Sequence, residues 1–231
     1  MSIKMISGRV VKRGSGFVST SSIDPYTTAF PLTENPIVQD GRWRQGLAQG
    51  LDWSNVRTTP GLCFGTAFND STVNDSIAVR NNIVTTKMRV SGVVYKPGGY
   101  SPSGHEIELL GLFSINANSA PGYELSFGHD STMQCIRQNG AIGDYDTTVC
   151  TITSGSSFTP NDGDTLDADF DSSGGTQVTI TIYQNTVQQV VFRDNSAGRI
   201  TSGSPGLGFF AHASGGDLTK YGWSSFSCKS L

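Results

Sequence analysis

The segment GDTLDADFDSSGG, starting at Gly163, alternates Leu166, Ala168 and Phe170 with Asp167, Asp169 and Asp171. Only a β-strand, with its two-residue period, sorts such a segment into one apolar and one acidic face. The same period recurs along the chain. Met88, Val90, Gly92 and Val94 share a face, and Ile107 and Leu109 lead into a nearly continuous apolar run to Ile115. Tyr123, Leu125 and Phe127 alternate with Glu124 and Ser126, and Val178, Ile180 and Ile182 form another set. Shorter runs fall at Thr148–Ile152, Val190–Phe192, Gly206–Ala213 and Gly222–Cys228. Turn clusters such as KPGG, NSAPG, QNGAIGD, NDGD and SGSPG separate them. No helical pattern outlasts two turns, and no fixed repeat is present. About ten to thirteen strands without helices predict an all-β, two-sheet antiparallel sandwich or jelly roll.

Composition agrees. Gly is abundant at 28 of 231 residues, and charged residues are only 15 %. Long amphipathic helices need more Glu and Lys than that. No Pro- or Ser-rich linker interrupts residues 35–231, so one core is expected over 31–231. Residues 1–30 read as an N-terminal arm or an edge strand near Gly8–Lys12.

A net charge of -3 and a pI near 5.5 argue against nucleic acid as a partner. The one cationic cluster, Lys4, Arg9, Lys12 and Arg13, reads as a solvated arm or a subunit contact. No apolar run approaches the roughly 18 residues of a membrane span. The first residues lack the apolar core of a signal peptide, so a cytoplasmic or virion location is expected. Cys63, Cys135, Cys150 and Cys228 have no metal-ligand spacing and read as buried free thiols. A Cys135–Cys150 disulfide between neighbouring strands is the exception to watch.

Gly163-Asp164, the strand ITIY at Ile180–Tyr183, Asp194 and the turn Ser202–Leu207 together resemble the distal half of a laminin-G-like, concanavalin A-like jelly roll. Leu32–Trp43, LTENPIVQDGRW, is similar to the start of such domains in phage structural and polysaccharide-related proteins. GWSSFSC resembles their closing strand. The resemblance covers about residues 30–231 and implies this fold, which hosts lectins, glycosidases, lyases and inert modules alike. One departure is Asn185-Thr186 where Asn-Gly is usual. A two-residue type I′ turn needs positive φ at both centres, which Thr resists, so a longer loop through Gln188 is expected.

Concanavalin-like glycosidases carry acids along a strand in a pattern near E-x-D-x-x-E. HEIELLG places Glu106 and Glu108 on one face, but the third position is Gly111. This pair is the alternative catalytic candidate; a polar outer strand face is the plainer reading. The Q-x-H element of the lyases is missing. His105, His129 and His212 lie in or beside turns, and no G-x-S-x-G elbow occurs.

Sugar binding needs exposed aromatics for stacking, with amides and carboxylates for hydroxyls. Trp43 and Trp223 read as core. Trp53, flanked by Asp52 and Asn55, and the turn-borne Tyr100 and Tyr145 form the ligand-binding set. Asp167, Asp169 and Asp171 are the alternative Ca²⁺ set. Their spacing of roughly 6.6 Å along a strand suits solvent better than one ion. The expected function is therefore a non-enzymatic glycan-binding or virion-surface module of phage type, taking a polysaccharide or cell-surface glycan. Its N-terminal arm would contact other virion proteins, with homo-oligomerisation plausible. A polysaccharide-degrading hydrolase or lyase and a purely structural decoration protein are the alternatives.

Overall fold

The computed structural model describes residues 25–45, 53–67, 75–81, 83–100, 104–128, 133–141, 143–211 and 217–231. The sequence-predicted strand near Gly8–Lys12, Asp52, His129 and His212 lie outside these residues.

Among the described residues sixteen strands form two antiparallel sheets, more than predicted because several are only two to four residues long. They are β1 (Tyr26–Thr28), β2 (Trp43–Gln45), β3 (Val56–Thr59), β4 (Leu62–Gly65), β5 (Ser76–Arg80) and β6 (Lys87–Tyr95). Then follow β7 (His105–Phe113), β8 (Gly122–Phe127), β9 (Met133–Gln138), β10 (Tyr145–Asp146) and β11 (Thr151–Gly155). β12 (Thr165–Asp171), β13 (Val178–Gln184), β14 (Val187–Asp194), β15 (Ser204–Ala211) and β16 (Gly222–Ser230) complete the set. The nine-stranded sheet runs β11-β14-β13-β12-β6-β16-β4-β3, with β1 also on β16. The seven-stranded sheet runs β10-β9-β8-β7-β15-β5-β2.

The core lies between the sheets. Val90, Leu166, Ala168, Phe170, Ile180 and Ile182 from one meet Ile107, Leu109, Tyr123, Leu125 and Phe127 from the other. Each large apolar side chain so buried contributes about 1.5–3 kcal/mol. Two aromatic rings lie on glycines, one within the nine-stranded sheet and one across the two layers. The Trp223 indole rests on Gly92, and the Phe170 ring rests on Gly111; a Cβ at either glycine would overlap the ring. Gly111 thus faces inward, under an aromatic ring, where the glycosidase pattern would need an outward carboxylate.

The acidic stripe is not merely solvated. β12 pairs with β6 so that Asp171, Asp169 and Asp167 stand opposite Lys87, Arg89 and Ser91. Lys87 Nζ lies 2.9 Å from Asp171 Oδ2. Arg89 donates from Nε and Nη2 to the two oxygens of Asp169, at 2.5 and 2.7 Å. Ser91 Oγ donates to Asp167 at 2.5 Å. Neighbouring-strand partners, rather than a shared cation, satisfy these carboxylates. Among the described residues no group of three or more His, Cys, Asp or Glu is placed to hold a metal ion.

Two further expectations are corrected. Asn185 and Thr186 alone join β13 to β14, with φ of 51° and 72°. The pairing of Gln184 with Val187 closes the turn at two residues despite the steric resistance of Thr. The sandwich also starts by residue 25, not 31, because Tyr26–Thr28 pairs with β16 and Phe30 is fully buried. All four cysteines are buried and free. Among the described residues no helix is long and apolar enough to cross a membrane.

Candidate functional site

The outer face of the seven-stranded sheet is unlike an ordinary solvated face. β7 carries Glu106, Glu108 and Leu110 outward, since Ile107 and Leu109 point to the core. The run ELLGLF has no polar alternation after Glu108 because both of its faces are covered. Leu112 adopts φ 50°, which lets Leu112 enter the main core while Phe113 joins an outer cluster. That cluster contains Trp53, Ile77, Val79, Leu110, Phe113, Ile115 and Ala120. It covers the β5 side of the face.

Next to it lies a row of polar groups. Glu108 stands opposite Ser126 on β8 and Gly208 on β15. Its carboxyl occupies the space a side chain at 208 would need. Glu124, two residues from Ser126 on the same face, is the diagonal neighbour of Glu108. Gln138 on β9 donates from Nε2 to Glu124 Oε2 at 2.9 Å. Tyr145 stands opposite Gln138 and shares its face; its side chain is 45 % exposed. Asn139 and Asp144 hold Tyr145 there: Asn139 N donates to Asp144 O at 2.8 Å, and Asn139 Nδ2 to Asp144 Oδ1 at 3.1 Å.

Exposure falls across this row. Gln134 and Tyr145 are exposed and Ile136 is half-buried, whereas Glu124 is 4 % and Glu108 0 % exposed. The acid pair is thus the inner end of a strip that opens toward β9 and β10. Neither Glu108 oxygen has a hydrogen-bond partner. A buried polar group left so costs about 1–3 kcal/mol and calls for an explanation. Burial raises the Glu108 carboxyl well above the usual range, and the negative fields of Glu124, Asp75 and Glu106 push the same way. Burial likewise raises Glu124, as do Asp75 and Glu106, but the Gln138 amide opposes the shift. Both carboxyls are raised, and Gln138 donates to Glu124 alone.

The sequence-predicted residues divide between this strip and other places. Glu106 and Glu108 share the outer face, with Glu106 half-buried. Tyr145 lies on the strip. Trp53 does not offer a stacking face: it is 1 % exposed, with its ring 6.0 Å from that of Phe113. Its apolar bulk caps the outer cluster instead. Asn55 is half-buried, its Nδ2 3.5 Å from Asn35 Oδ1. Tyr100 packs against the main core, its hydroxyl 3.1 Å from His105 Nδ1. The proposed set is therefore not one site. Glu124 and Gln138 were missed, although the polar positions in YELSF and MQCIRQ alternate with core residues. Only the β7–β8–β9 pairing brings them to Glu108.

No protein-family model matches the chain, and no curated protein matches it. Solved structures do. A legume lectin-like domain from Entamoeba histolytica aligns with a TM-score of 0.50 at 13 % identity, covering 94 % of this chain and 100 % of that one. A GH43 protein, BlXynB, of Bacillus licheniformis aligns with a TM-score of 0.53 at 11 % identity, covering 89 % of this chain but 39 % of that one. These likenesses concern the fold, which is the concanavalin A-like jelly roll.

Proposed function

We propose that the chain is a carbohydrate-recognition domain that takes a glycan along the outer face of the seven-stranded sheet. One observation carries this reading: the exposed Tyr145 ring stands beside Gln138, which leads through Glu124 to the unpartnered Glu108. A pyranose face stacks on an aromatic ring while its hydroxyls need amide and carboxyl partners. The lectin-like fold of the Entamoeba histolytica domain is in keeping with this. Within this reading the ligand is a polysaccharide or cell-surface glycan. The setting we propose is a virion surface of phage type, supported by the opening Leu32–Trp43, with the basic N-terminal segment as the attachment point.

A glycan array with the wild-type chain and Tyr145→Ala tests it. Binding that falls about tenfold or more in the variant supports the reading, given about 1–2 kcal/mol for a stacked ring. A silent array with a normally folded protein favours a purely structural role. Co-purification with particles tests the virion setting. The reading as a non-enzymatic module rests on the opening Leu32–Trp43, the lack of a signal-peptide core in the first residues and the missing catalytic patterns.

A further inference from the structure

We propose that a cavity where the β2–β5 edge of the seven-stranded sheet meets the turn after β7 binds an oxyanion, the carboxylate or phosphate of a small ligand, with Arg44 as the residue that holds it. This site lies apart from the Tyr145 strip and does not depend on it.

Three observations carry the inference. The first is charge. The cavity holds about 190 Å³, and both Arg44 and Arg80 line it. None of the described residues around it is acidic. In a chain of net charge -3 this is a local excess of positive charge. Arg80 is 8 % exposed, with its Cζ 3.6 Å from the centre of the Tyr26 ring. Its Nη1 donates to the Arg42 carbonyl at 3.2 Å, and its Nε has no hydrogen-bond partner. Burial and the neighbouring Arg42 both disfavour its charge, and no described carboxylate answers them. A buried cation without a paired charge is costly, and an anion in the adjoining cavity offsets that cost.

The second observation is the placement of Arg44. Residue 44 stands opposite Val79 on β5, on the outer face of the sheet, and is half-buried. Its Nη1 donates to the Ile115 carbonyl at 3.0 Å, which fixes the guanidinium beside the cavity. Its Nη2 makes only a long contact, 3.4 Å, to Asn81 Oδ1. A guanidinium carries five N–H donors in a planar fork, so most remain for a ligand. Because the side chain is already held, binding costs little further ordering.

The third is the remaining wall. Ser114 and Asn116 flank Ile115 and supply neutral donors, while Val79, Ile83 and Ile115 are apolar. A charged head on a short body matches both halves.

The test titrates the isotope-labelled full chain with glucuronate, butyrate and glucose 6-phosphate, and with glucose as the neutral control, followed by amide shifts. Expected are shifts at Arg44, Ser114, Ile115 and Asn116, with at least one charged probe bound about tenfold or more tighter than glucose. Tighter binding of glucuronate or butyrate assigns a carboxylate ligand; tighter binding of glucose 6-phosphate assigns a phosphate. Arg44→Gln should weaken that probe about tenfold or more, and Tyr145→Ala should leave it unchanged. A thermal melt confirms that both variants fold. Should Arg44→Gln not fold, Arg44→Lys replaces it: the charge stays but the fork is lost, and about fivefold weaker binding is expected. Charged probes that bind no tighter than glucose overturn the inference, as do shifts confined to other residues or undiminished binding by a folded Arg44→Gln. None of these results touches the glycan reading, which stands or falls on the array with Tyr145→Ala.

Discussion

Trp223, on the nine-stranded sheet, donates from its indole Nε1 to the backbone carbonyl of Glu108, on the seven-stranded sheet, at 3.2 Å. The bond crosses the core and ends on the residue that turns its carboxyl to the opposite face. Packing between the sheets and the chemistry outside them therefore meet at one position of β7. Trp223→Phe removes the donor and leaves space over Gly92. A loss of about 2–3 kcal/mol is expected by denaturant unfolding, together with weaker glycan binding.

The acid pair sets a pH dependence. Glu108 has a raised value in the folded chain, so the folded state binds the proton more tightly than the unfolded one. Its contribution is fully present below the ordinary carboxyl range and is lost as pH rises toward the folded value. Wild-type stability should fall between acid and mildly alkaline pH through this group. Glu108→Gln should flatten that fall and raise stability at pH 8 by about 1–3 kcal/mol. Melting temperatures from pH 4 to 9 check it.

Asp194 has the opposite sign. It is fully buried, accepts from Tyr123 Oη at 2.8 Å and Ser196 N at 2.8 Å, and lies 3.1 Å from Arg137 Nη1. Burial opposes its charge, but the bonds from Ser196, Tyr123 and Arg137 outweigh it and hold the carboxyl below the usual range. Its stabilisation is present above the ordinary carboxyl value and lost as pH falls through the folded one. Asp194→Ala leaves Arg137 without this partner and should cost about 3–5 kcal/mol, read by urea unfolding at pH 7.

At the β13–β14 turn, Thr186 pays for a left-handed backbone that glycine adopts freely. Thr186→Gly should raise stability by about 1 kcal/mol, again by urea midpoint.

Asp169 offers a contrast. Its bond to Arg89 is on the outer face, with side chains 28 % and 17 % exposed. Asp169→Asn should cost under about 1 kcal/mol, less at high salt. Because Arg89, Lys87 and Ser91 already serve these carboxylates, neither Ca²⁺ nor EDTA should move the melting temperature.

Strand identity was legible in the sequence because side-chain period reports one face at a time. Leu166–Phe170 and Val178–Ile182 behave as their alternation requires. Partnership was not legible, since it depends on register between distant segments. Asp169 is 80 residues from Arg89, and nothing local reveals that the stripe is neutralised. Glu124 looked like an outward polar residue until β8 lay beside β7. Trp53, read as a loop aromatic, was captured by the outer cluster that the bulge at Leu112 builds. Tyr145 is the candidate whose place on the strip turn chemistry alone could favour, because Asn139 N bonds to Asp144 O just before it.

The central claim is that glycan lies on the outer face of the seven-stranded sheet. A titration of the isotope-labelled chain with an array-selected oligosaccharide, followed by amide shifts, tests it most directly. The account predicts shifts concentrated at Glu108, Glu124, Ser126, Gln138 and Tyr145. Shifts concentrated instead at Arg89, Asp169 and Tyr183, on the outer face of the nine-stranded sheet, would contradict it.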